Sequence, residues 1–440
     1  YMNKRFKQVC LALGDLGVLF LALGVSLFIR YGSNSQGMWS DNIFYFRPLF
    51  GAWLLILYIS GAYKLNLVYN FKRFWQNAVS ATIASGLVSI IYFYLIQSPV
   101  SPKTILIIFL GVFLLLFLLW RNLASLVIRS FLPVNNLAII GNTPLSDELL
   151  ENLAKQPHQG FNTALVFKNI EDAKALPALI KKRNINSIII APEFANNPEL
   201  VDLLFDCLSL NINIYNLSDF YELVYGRVPL SSINQAWFID NINQGGRRYF
   251  DLIKRTNDLI WASFLLLFSL PFFPLIALAI KLDSRGPVLF RQERVGKNER
   301  LFTMLKFRTM KTQANNGTMT SLNDKRITRV GNFLRRSRLD EIPQIINIFR
   351  GEMSFIGPRP ERTEFVLDLS KKIPFYKTRL LIKPGISGWD QVSGIYHSPS
   401  LEDSQAKLEY DLFYLKHRSI YLDLSIALKT IATMLSRNGR

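Results

Sequence analysis

Four apolar stretches fill the first third of the chain and limit its fold more than any other feature. They cover roughly residues 8–29, 45–63, 76–97 and 104–128. Each approaches the ~20 residues that a helix needs to cross a bilayer. Hydrophobic residues make up 50% of the chain, which is too apolar for an ordinary soluble protein. We therefore predict a membrane α-helical bundle of four spans over residues 1–132, followed by soluble units.

Basic residues at the ends of these stretches predict the orientation of the chain. Those before the first stretch, between the second and third, and after the fourth are Lys4, Arg5, Lys7, Lys64, Lys72, Arg73, Arg121 and Arg129. The other two loops hold only Arg30, Arg47 and Lys103. Because Lys and Arg accumulate in cytoplasmic loops, everything after residue 130 should face the cytoplasm. The first stretch is too long for a cleavable signal peptide, and we expect Asp15 inside it to be structural or neutral.

Charge is distributed unevenly along the rest of the chain, whose formal net charge is +19. Residues 133–246 carry 7 basic and 12 acidic side chains, whereas residues 281–440 carry 29 and 16. A basic segment in a membrane protein suits an anionic lipid surface or a phosphorylated substrate, and the spans argue against nucleic acid. The two cysteines and three scattered histidines predict neither a disulfide framework nor a zinc site.

Predicted strands and helices alternate from residue 133 to residue 240. The strands are at 137–140, 163–168, 187–191 and 211–215, and the helices at 146–155, 171–183 and 198–208. This alternation predicts a parallel α/β unit. Gly141 ends the first strand in a turn, but a single glycine does not satisfy the G-x-G-x-x-G dinucleotide fingerprint. A structural or regulatory role is therefore favoured over nucleotide binding.

A further apolar run covers residues 259–280 and is long enough to cross the membrane. Crossing would place the basic residues 281–440 outside, against the bias of positive charge toward the cytoplasm. Pro271 and Pro274 offer another solution, because each removes a backbone donor and disfavours a straight helix. We favour a re-entrant helix over about 255–282, broken at Pro271, and a kinked fifth span is the alternative.

Groups suited to phosphate are concentrated in residues 281–395. Lys306 and Arg308 lie two apart, on one face of a predicted strand. The other groups are Arg335, Arg336, Arg338, Asp340, Glu341 and the turn Gly357-Pro358-Arg359-Pro360. Arginine binds phosphate through a planar, two-pronged guanidinium. One basic cluster would be weak evidence for a ligand, but several clusters beside two adjacent carboxylates indicate a phosphate site.

Asp340 and Glu341 are the most informative pair of residues. Pro343 and the apolar residues behind it predict that both carboxylates lie at the amino terminus of a helix. Capping and dipole stabilisation, worth ~0.5–2 kcal/mol, is one interpretation. In the other, the helix end attracts a phosphoryl group, Asp340 attacks phosphorus and Glu341 holds a magnesium ion. Because the reference pKa of aspartate is ~3.9, Asp340 would be ionised at neutral pH without a general base.

Several segments of the second half of the chain together form a specific pattern. In chain order they are Lys254-Arg255 with Asp258, the proline-broken apolar helix, Phe290-Arg291-Gln292-Glu293-Arg294-Val295-Gly296, Lys306-Phe307-Arg308-Thr309-Met310, Leu339-Asp340-Glu341, Met353-Ser354-Phe355-Ile356-Gly357-Pro358-Arg359-Pro360 and Pro384-Gly385-Ile386-Ser387-Gly388-Trp389. Residues 247–436, which contain them, resemble the catalytic domain of bacterial polyprenyl-phosphate glycosyl-1-phosphate transferases, the monotopic phosphoglycosyl transferases. Residues 1–246 resemble the extended members, with four spans and a Rossmann-like domain over 133–240 that ends in Phe220-Tyr221-Glu222.

The resemblance implies an α/β-mixed catalytic domain over residues 247–440 that transfers a sugar-1-phosphate to undecaprenyl phosphate or another polyprenyl phosphate. Asp340 corresponds to the nucleophile, which attacks the β-phosphate of a UDP-sugar, releases UMP and carries the phosphosugar until the lipid takes it. The other correspondences are Glu341 as the Mg²⁺ ligand, Arg335 and Arg359 as phosphate-binding arginines, Lys306 and Arg308 as further phosphate contacts, and Pro271 as the break of the re-entrant helix.

The same resemblance implies a location and partners. The family works at the bacterial inner membrane with its soluble domains in the cytoplasm, and its extended members start exopolysaccharide, capsule or O-antigen chains. We expect a homodimer, and glucose or galactose as the sugar. Two residues depart from the family pattern: Leu270 replaces a serine, and Asp390 replaces an alanine and is expected to be solvated. The alternatives are a non-catalytic membrane scaffold or regulator that binds a nucleotide sugar, and direct transfer without a covalent intermediate.

Overall fold

A computed structural model of the 440-residue chain describes residues 4–60, 62–63, 71–96, 102–131, 135–155, 161–195, 197–210, 212–242, 248–311, 324, 326–393 and 400–435. Lys64, one of the residues that predicted the orientation, lies outside this described part. The chain forms two compact units, residues 1–215 and residues 216–440. The finer boundaries at 132, 240 and 247 stay predictions.

The first unit begins with four long helices, α1 (Lys4–Tyr31), α2 (Ser35–Ile59), α3 (Phe71–Ile96) and α4 (Pro102–Phe131). A 3₁₀ turn, Gly32–Asn34, separates α1 from α2. Helices α2 and α4 each pack against both α1 and α3. Aromatic side chains fill the centre of this bundle, where the ring of Phe109 lies 5.1 Å from that of Trp53 and 5.3 Å from that of Phe46.

The outward faces of these helices are apolar, with exposed side chains such as Leu13, Ile83 and Leu115. Among the described residues of this unit, Gln8–Ile59 and Thr104–Ala124 are long and apolar enough to cross a membrane, with mean hydropathies of 2.2 and 2.6. The apolar part of α3, Ala81–Ile96, is shorter. The structure thus shows two membrane-capable helical stretches here, and four separate spans stay a prediction.

Asp15 lies inside α1, where its charge has a buried partner. Its Oδ2 is 2.6 Å from Nη2 of Arg121 on α4, and neither side chain is accessible to more than a few per cent. The Arg121 guanidinium also lies over the rings of Phe117 and Tyr63. The attraction between a buried carboxylate and a buried guanidinium offsets their desolvation cost only when their geometry is well defined. This pair therefore fixes the position of α1 along α4.

The rest of the first unit is a four-stranded sheet in the order β2-β1-β3-β4. Its elements are β1 (Asn135–Ile140), α5 (Pro144–Lys155), β2 (Phe161–Phe167), α6 (Ile170–Ala173), α7 (Leu176–Arg183), β3 (Ile185–Ile190), α8 (Pro198–Cys207) and β4 (Asn213–Asn216). β1 pairs in parallel with β2 and β3. The predicted alternation of strands and helices is therefore confirmed, while the description as Rossmann-like stays a prediction.

The second unit is a mixed α/β structure with fourteen described α-helices and β-strands, besides short 3₁₀ helices. These are α9 (Leu217–Tyr225), α10 (Gln235–Asn241), α11 (Arg248–Ser269), α12 (Phe272–Asp283), β5 (Leu289–Val295), β6 (Leu301–Phe307), α13 (Arg329–Arg336), α14 (Gln344–Arg350), β7 (Ser354–Ile356), α15 (Thr363–Lys372), β8 (Gly385–Ser387), α16 (Trp389–Val392), α17 (Leu401–His417) and α18 (Ile420–Leu435). β5 and β6 form an antiparallel hairpin, and β7 pairs in parallel with β8. Buried residues of β7, α15 and α17 form the main hydrophobic core.

Helices α11 and α12 form one apolar segment that is bent by 62° between Ser269 and Phe272. Pro271 precedes the first residue of α12 with a helical φ of −63°. The Leu266 carbonyl accepts two hydrogen bonds at the break, from the Leu270 amide at 2.8 Å and from Ser269 Oγ at 3.2 Å. The Ser269 hydroxyl thus bonds a carbonyl that already has its helical partner, one residue before Leu270. The outward faces of both helices are exposed and apolar.

The segment Phe220-Tyr221-Glu222 lies on α9 and packs within the second unit. Phe220 and Tyr221 are buried, and Glu222 pairs with Lys416 of α17 at 2.9 Å. The carbonyl of Gly226, which ends α9, accepts a hydrogen bond from the Trp389 indole at 2.7 Å. These contacts fix α9 against α16 and α17.

Candidate active site

Asp340 and Glu341 lie in a 3₁₀ turn, Leu339–Glu341, between α13 and α14. Arg338 adopts a left-handed backbone with φ of +58°, which turns the chain sharply after α13. Both carboxylates are buried to about the same extent, with 8% exposure each. Neither the 3₁₀ turn nor α14 has a side-chain cap, and the residue preceding α14 is Pro343. The capping interpretation of this pair is therefore not supported.

Lys306 and Arg359 converge on Glu341 from two other elements. Lys306 lies on the same face of β6 as the buried Met304, one step nearer the end of the strand, and its Nζ donates to Oε1 of Glu341 at 2.7 Å. Arg359 Nη2 lies 3.5 Å from the same oxygen. Arg338 Nη1 is 4.0 Å from it, a contact that the sequence did not predict. Three cations therefore meet at one oxygen of Glu341.

Arg335 approaches the neighbouring carboxylate. It lies on the last turn of α13, and its Nε donates to Oγ1 of Thr309 at 2.8 Å, which orients the guanidinium. Burial raises the pKa of Asp340, and the charge of Arg335 opposes that rise. With Lys306, Arg338 and Arg359, the site holds four cations against two carboxylates. Such an excess of positive charge suits a phosphate ligand.

Arg308 and Pro271 are placed elsewhere. Arg308 follows β6, and its Nη2 donates to the backbone oxygen of Ser284 at 2.5 Å and to the Ser284 hydroxyl at 3.0 Å. It also lies 3.4 Å from the Ile280 carbonyl, so this arginine binds the carboxyl end of α12 rather than Glu341. Pro271 lies at the break between α11 and α12. The structure brings Lys306, Arg335 and Arg359 to the carboxylate pair and does not bring Arg308 or Pro271 there.

The two carboxylates have opposite electrostatic environments. Burial raises the pKa of Asp340, and the adjacent charge of Glu341 raises it further, while Lys306 and Arg335 act in the other direction. Burial also opposes ionisation of Glu341, but Arg359 and Lys306 outweigh it and lower the pKa of Glu341 to about 2. Glu341 is thus a fixed anion. Because Asp340 is buried, its pKa lies above the reference value of aspartate.

The partners of the two carboxylates differ as well. Within the described part of the chain, the Asp340 carboxylate makes no hydrogen bond or ion pair. Glu341 makes its contacts through Oε1. An ionised carboxylate that is surrounded by cations but bound to none of them keeps its lone pairs for an incoming electrophile. Asp340 has the arrangement of a nucleophile, and Glu341 that of a structural or metal-binding anion.

The acidic side chains of the site determine whether it could hold Mg²⁺. The described residues contain no group of three or more His, Cys, Asp or Glu side chains that could enclose a metal ion. Mg²⁺ does not require such a cage, since one or two carboxylates with phosphate oxygens and water satisfy it. Glu341 makes its contacts with Lys306, Arg338 and Arg359 through Oε1, so its Oε2 is the oxygen that would hold such an ion.

Asp390 is the site-proximal residue for which the sequence prediction is wrong. It was expected to be solvated, but it is only 3% exposed, and its Oδ1 has no hydrogen-bond partner among the described residues. Its charge acts on Arg359 and Arg379. The reason for its burial is that Gly388 and the short helix α16 fold the loop back onto Gly357. Arg379 and Asp411, which lie behind Arg359, had no motif that could have revealed them.

Comparison with known proteins is consistent with this site. Residues 249–437 match the family model described as bacterial sugar transferase. The UDP-N-acetylgalactosamine-undecaprenyl-phosphate N-acetylgalactosaminephosphotransferase of Aeromonas hydrophila is 38% identical over 239 residues, which cover 53% of this chain and 55% of the relative. The UDP-glucose:undecaprenyl-phosphate glucose-1-phosphate transferase of Xanthomonas campestris pv. campestris is 32% identical over 326 residues, 69% of this chain and 67% of the relative.

The corresponding glucose-1-phosphate transferase of Escherichia coli K12 is 31% identical over 317 residues, 67% of this chain and 66% of the relative. The chain thus spans about half the length of the Aeromonas relative and about two thirds of the other two. The match to the family model includes the segment that carries Asp340 and Glu341. The chain belongs to the bacterial sugar transferase family, in the group of polyprenyl-phosphate glycosyl-1-phosphate transferases.

Proposed function

We propose that this protein transfers a sugar-1-phosphate from a UDP-sugar to undecaprenyl phosphate or a similar polyprenyl phosphate and releases UMP. The observation that carries the proposal is the unbonded, buried Asp340 carboxylate among four cations. The names of the relatives, which are undecaprenyl-phosphate sugar phosphotransferases, point to the same reaction.

In the first step, an Asp340 carboxylate oxygen attacks the β-phosphorus of the UDP-sugar. The new bond joins that oxygen to phosphorus, the bond from phosphorus to the bridging oxygen breaks, and UMP leaves with the electron pair. Arg335 and Arg359 bind the phosphate oxygens and stabilise the charge that develops on them. Lys306 holds Glu341 in place and adds positive charge to the same site.

In the second step, an oxygen of the polyprenyl phosphate attacks the phosphorus of the phosphosugar on Asp340. The bond from phosphorus to Asp340 breaks, the carboxylate is regenerated, and the product is a sugar linked to the lipid through a diphosphate. Two successive displacements allow the nucleotide and the lipid to use one small site in turn. Direct transfer from nucleotide to lipid would leave the free carboxylate of Asp340 without a role.

Magnesium is the cofactor that we propose for this site. Held by Glu341, it would neutralise phosphate charge. Removal of divalent ions with EDTA should abolish UMP release, and addition of Mg²⁺ should restore it. Full activity in EDTA would contradict this assignment and leave the four cations to neutralise the phosphates alone.

We further propose the membrane arrangement. The run Gln8–Ile59 has 52 residues, which as a helix would be about 78 Å long, more than twice the ~30 Å hydrocarbon core. It therefore holds two spans that meet at Gly32–Asn34, and α3 and α4 supply two more. The bent pair α11 and α12 re-enters the inner membrane, with the soluble domains in the cytoplasm. A homodimer also stays a prediction.

The sugar and the pathway belong to the proposal as well. The relatives named above act on glucose or N-acetylgalactosamine derivatives, so their names do not choose the donor of this chain. Glucose or galactose stays the preferred expectation. An exopolysaccharide production protein of Rhizobium leguminosarum bv. phaseoli is 37% identical over 195 residues. We place the reaction at the first membrane step of exopolysaccharide, capsule or O-antigen synthesis.

UMP release by the detergent-purified full chain tests the proposal. The assay contains undecaprenyl phosphate, Mg²⁺ and one UDP-sugar at a time, with Asp340→Asn as the test variant and Asp368→Asn, an exposed acid on α15, as the matched control. We expect release with one donor, retained in the control and lost in the test variant. Binding of a UDP-sugar without UMP release from any donor would favour the non-catalytic scaffold. Trapping labelled phosphosugar on Asp340 separates the covalent route from direct transfer.

A further inference from the structure

The turn Pro358-Arg359-Pro360, which carries Arg359 to Glu341, is held by a continuous set of hydrogen bonds. The carbonyls of Pro358 and Glu361 accept from the backbone amides of Gly385 and Val295, at 2.9 Å and 3.1 Å. The two carbonyls between them accept from arginine side chains instead, one buried and one half-buried. Arg379 Nη2 donates to the Arg359 carbonyl at 3.1 Å, and Arg294 Nη1 donates to the Pro360 carbonyl at 3.1 Å.

Arg379 is in turn fixed by its own partners. Its Nη2 lies 2.8 Å from Oδ2 of Asp411 on α17, and its Nη1 donates to the Tyr376 hydroxyl at 2.7 Å. Arg379 is 3% exposed and Asp411 is 1% exposed. A buried guanidinium bound at two nitrogens has one allowed orientation, because each departure leaves a charge or a donor unpaired. The chain of contacts therefore runs from α17 through Arg379 to the backbone of Arg359.

We propose that the ion pair of Arg379 and Asp411 is a positioning element that sets the place of the Arg359 guanidinium against Glu341 and the substrate phosphates. The proposal rests on the phosphosugar transfer proposed above. Arg379 itself is too deeply buried to touch a substrate, so it acts only through Arg359. Displacement of a substrate-binding group by about 1 Å can lower a rate by up to about 100-fold. Loss of the pair should therefore weaken catalysis while the fold persists.

A double-mutant cycle with Arg359 distinguishes positioning from general stability. Arg379→Lys keeps the charge but has only one nitrogen, so it cannot bind Asp411, Tyr376 and the Arg359 carbonyl together. We expect a fall of about 10- to 100-fold in UMP release in the wild-type background. In an Arg359→Met background the same substitution should change the residual rate by less than about two-fold, since the group that Arg379 positions is absent. An equal fall in both backgrounds would overturn the proposal.

A second variant covers the case in which Arg379→Lys fails to fold. Replacement of both partners by apolar residues, Arg379→Met with Asp411→Leu, removes the charges together and leaves none unpaired. This double variant should melt near the wild-type temperature and still lose UMP release about 10-fold or more. The matched control is Lys377→Gln, which lies with Arg379 on the 3₁₀ helix Tyr376–Leu381. The Lys377 side chain is exposed and pairs with Glu299. Wild-type activity in the double variant would contradict the proposal.

Hydrogen exchange provides a readout that does not depend on turnover. In the full chain, the amides of Val295 and Gly385, which donate to this turn, should exchange faster in the Arg379→Lys and double variants and should be unchanged in Lys377→Gln. Unchanged exchange in all variants would overturn the proposal. If the wild-type protein releases no UMP, the proposed function fails by itself, and the exchange data still decide whether Arg379 holds this turn.

Discussion

The turn after β1 and the turn that holds Asp340 are both places where a phosphate could be sought, but their chemistry is opposite. At the first, Thr143 and Ser146 bind each other's amides at the start of α5, at 2.8 and 3.1 Å. Gly141 has φ of +111°, and a Cβ on it would lie 2.4 Å from that of Ala191. At the second, no side chain caps the helix, and four cations surround the carboxylates.

The difference shows what a phosphate site requires beyond a glycine turn and a helix end. A helix amino terminus attracts an anion through amides that have no partner and through a local excess of positive charge. The amides of Ser146 and Asp147 in the first turn of α5 are occupied, Asp147 adds a negative charge there, and residues 133–246 have an excess of acidic side chains. The site at Asp340 draws its attraction from arginines and a lysine supplied by β6, α13 and the Pro358-Arg359-Pro360 turn.

The largest expected effect comes from the nucleophile. Asp340→Asn should lower UMP release by about 10⁴-fold or more, since the amide cannot form the covalent intermediate. Ser146→Ala, in the turn after β1, should leave the rate within about two-fold of the wild type. Initial rates of UMP release at saturating substrates measure both. Comparable losses in the two variants would mean that both turns serve the reaction.

A smaller loss of UMP release should distinguish Lys306 from Arg308, the two cations that the sequence predicted on one face of a strand. Lys306→Met should lower UMP release by about 100-fold, because it removes a charge from the site and leaves Glu341 without its nearest partner. Arg308→Met should lower the melting temperature instead, because it removes the bonds to the end of α12. Rates normalised to folded protein, with thermal unfolding in parallel, compare them. If Arg308→Met lost turnover but kept the wild-type melting temperature, Arg308 would have a role in the active site rather than in the fold.

The pH dependence of the rate should report Asp340. Attack requires the ionised carboxylate, so the rate should rise with pH through the pKa of Asp340, which burial and Glu341 hold above the ordinary value. Arg335→Gln removes a charge that lowers this pKa, so it should move the acid limb of the UMP-release profile to higher pH. Arg336→Gln, an exposed neighbour, is the control and should leave the limb in place. A shift to lower pH in Arg335→Gln would contradict the assignment.

Much of the fold could be predicted from the sequence, because the periodicity of apolar residues and the positions of glycine and proline are local signals. The strands at β1 and β3 and the break at Pro271 follow from short stretches of apolar residues, glycine and proline. Charge clustering also brought Asp340, Glu341 and Arg359 to attention. The burial of Asp390, the partner of Asp15 and the pair of Arg379 with Asp411 depend on residues far apart in the chain, and no local pattern contains them.

The smallest expected effect on turnover tests the turn after β1 directly. Gly141→Ala forces a side chain into a backbone region that favours glycine and against Ala191, so it should destabilise the fold by roughly 1–3 kcal/mol. Gly37→Ala, in helix α2 with open space around it, is the matched control and should cause no such loss. If the turn is only structural, the rate of UMP release per folded molecule stays within about two-fold of the wild type in both variants. A loss of UDP-sugar affinity in Gly141→Ala, at temperatures where the protein remains folded, would place this turn in the substrate site. A helix end whose amides already have partners could then take part in phosphate recognition, and an excess of positive charge would not be the sole requirement.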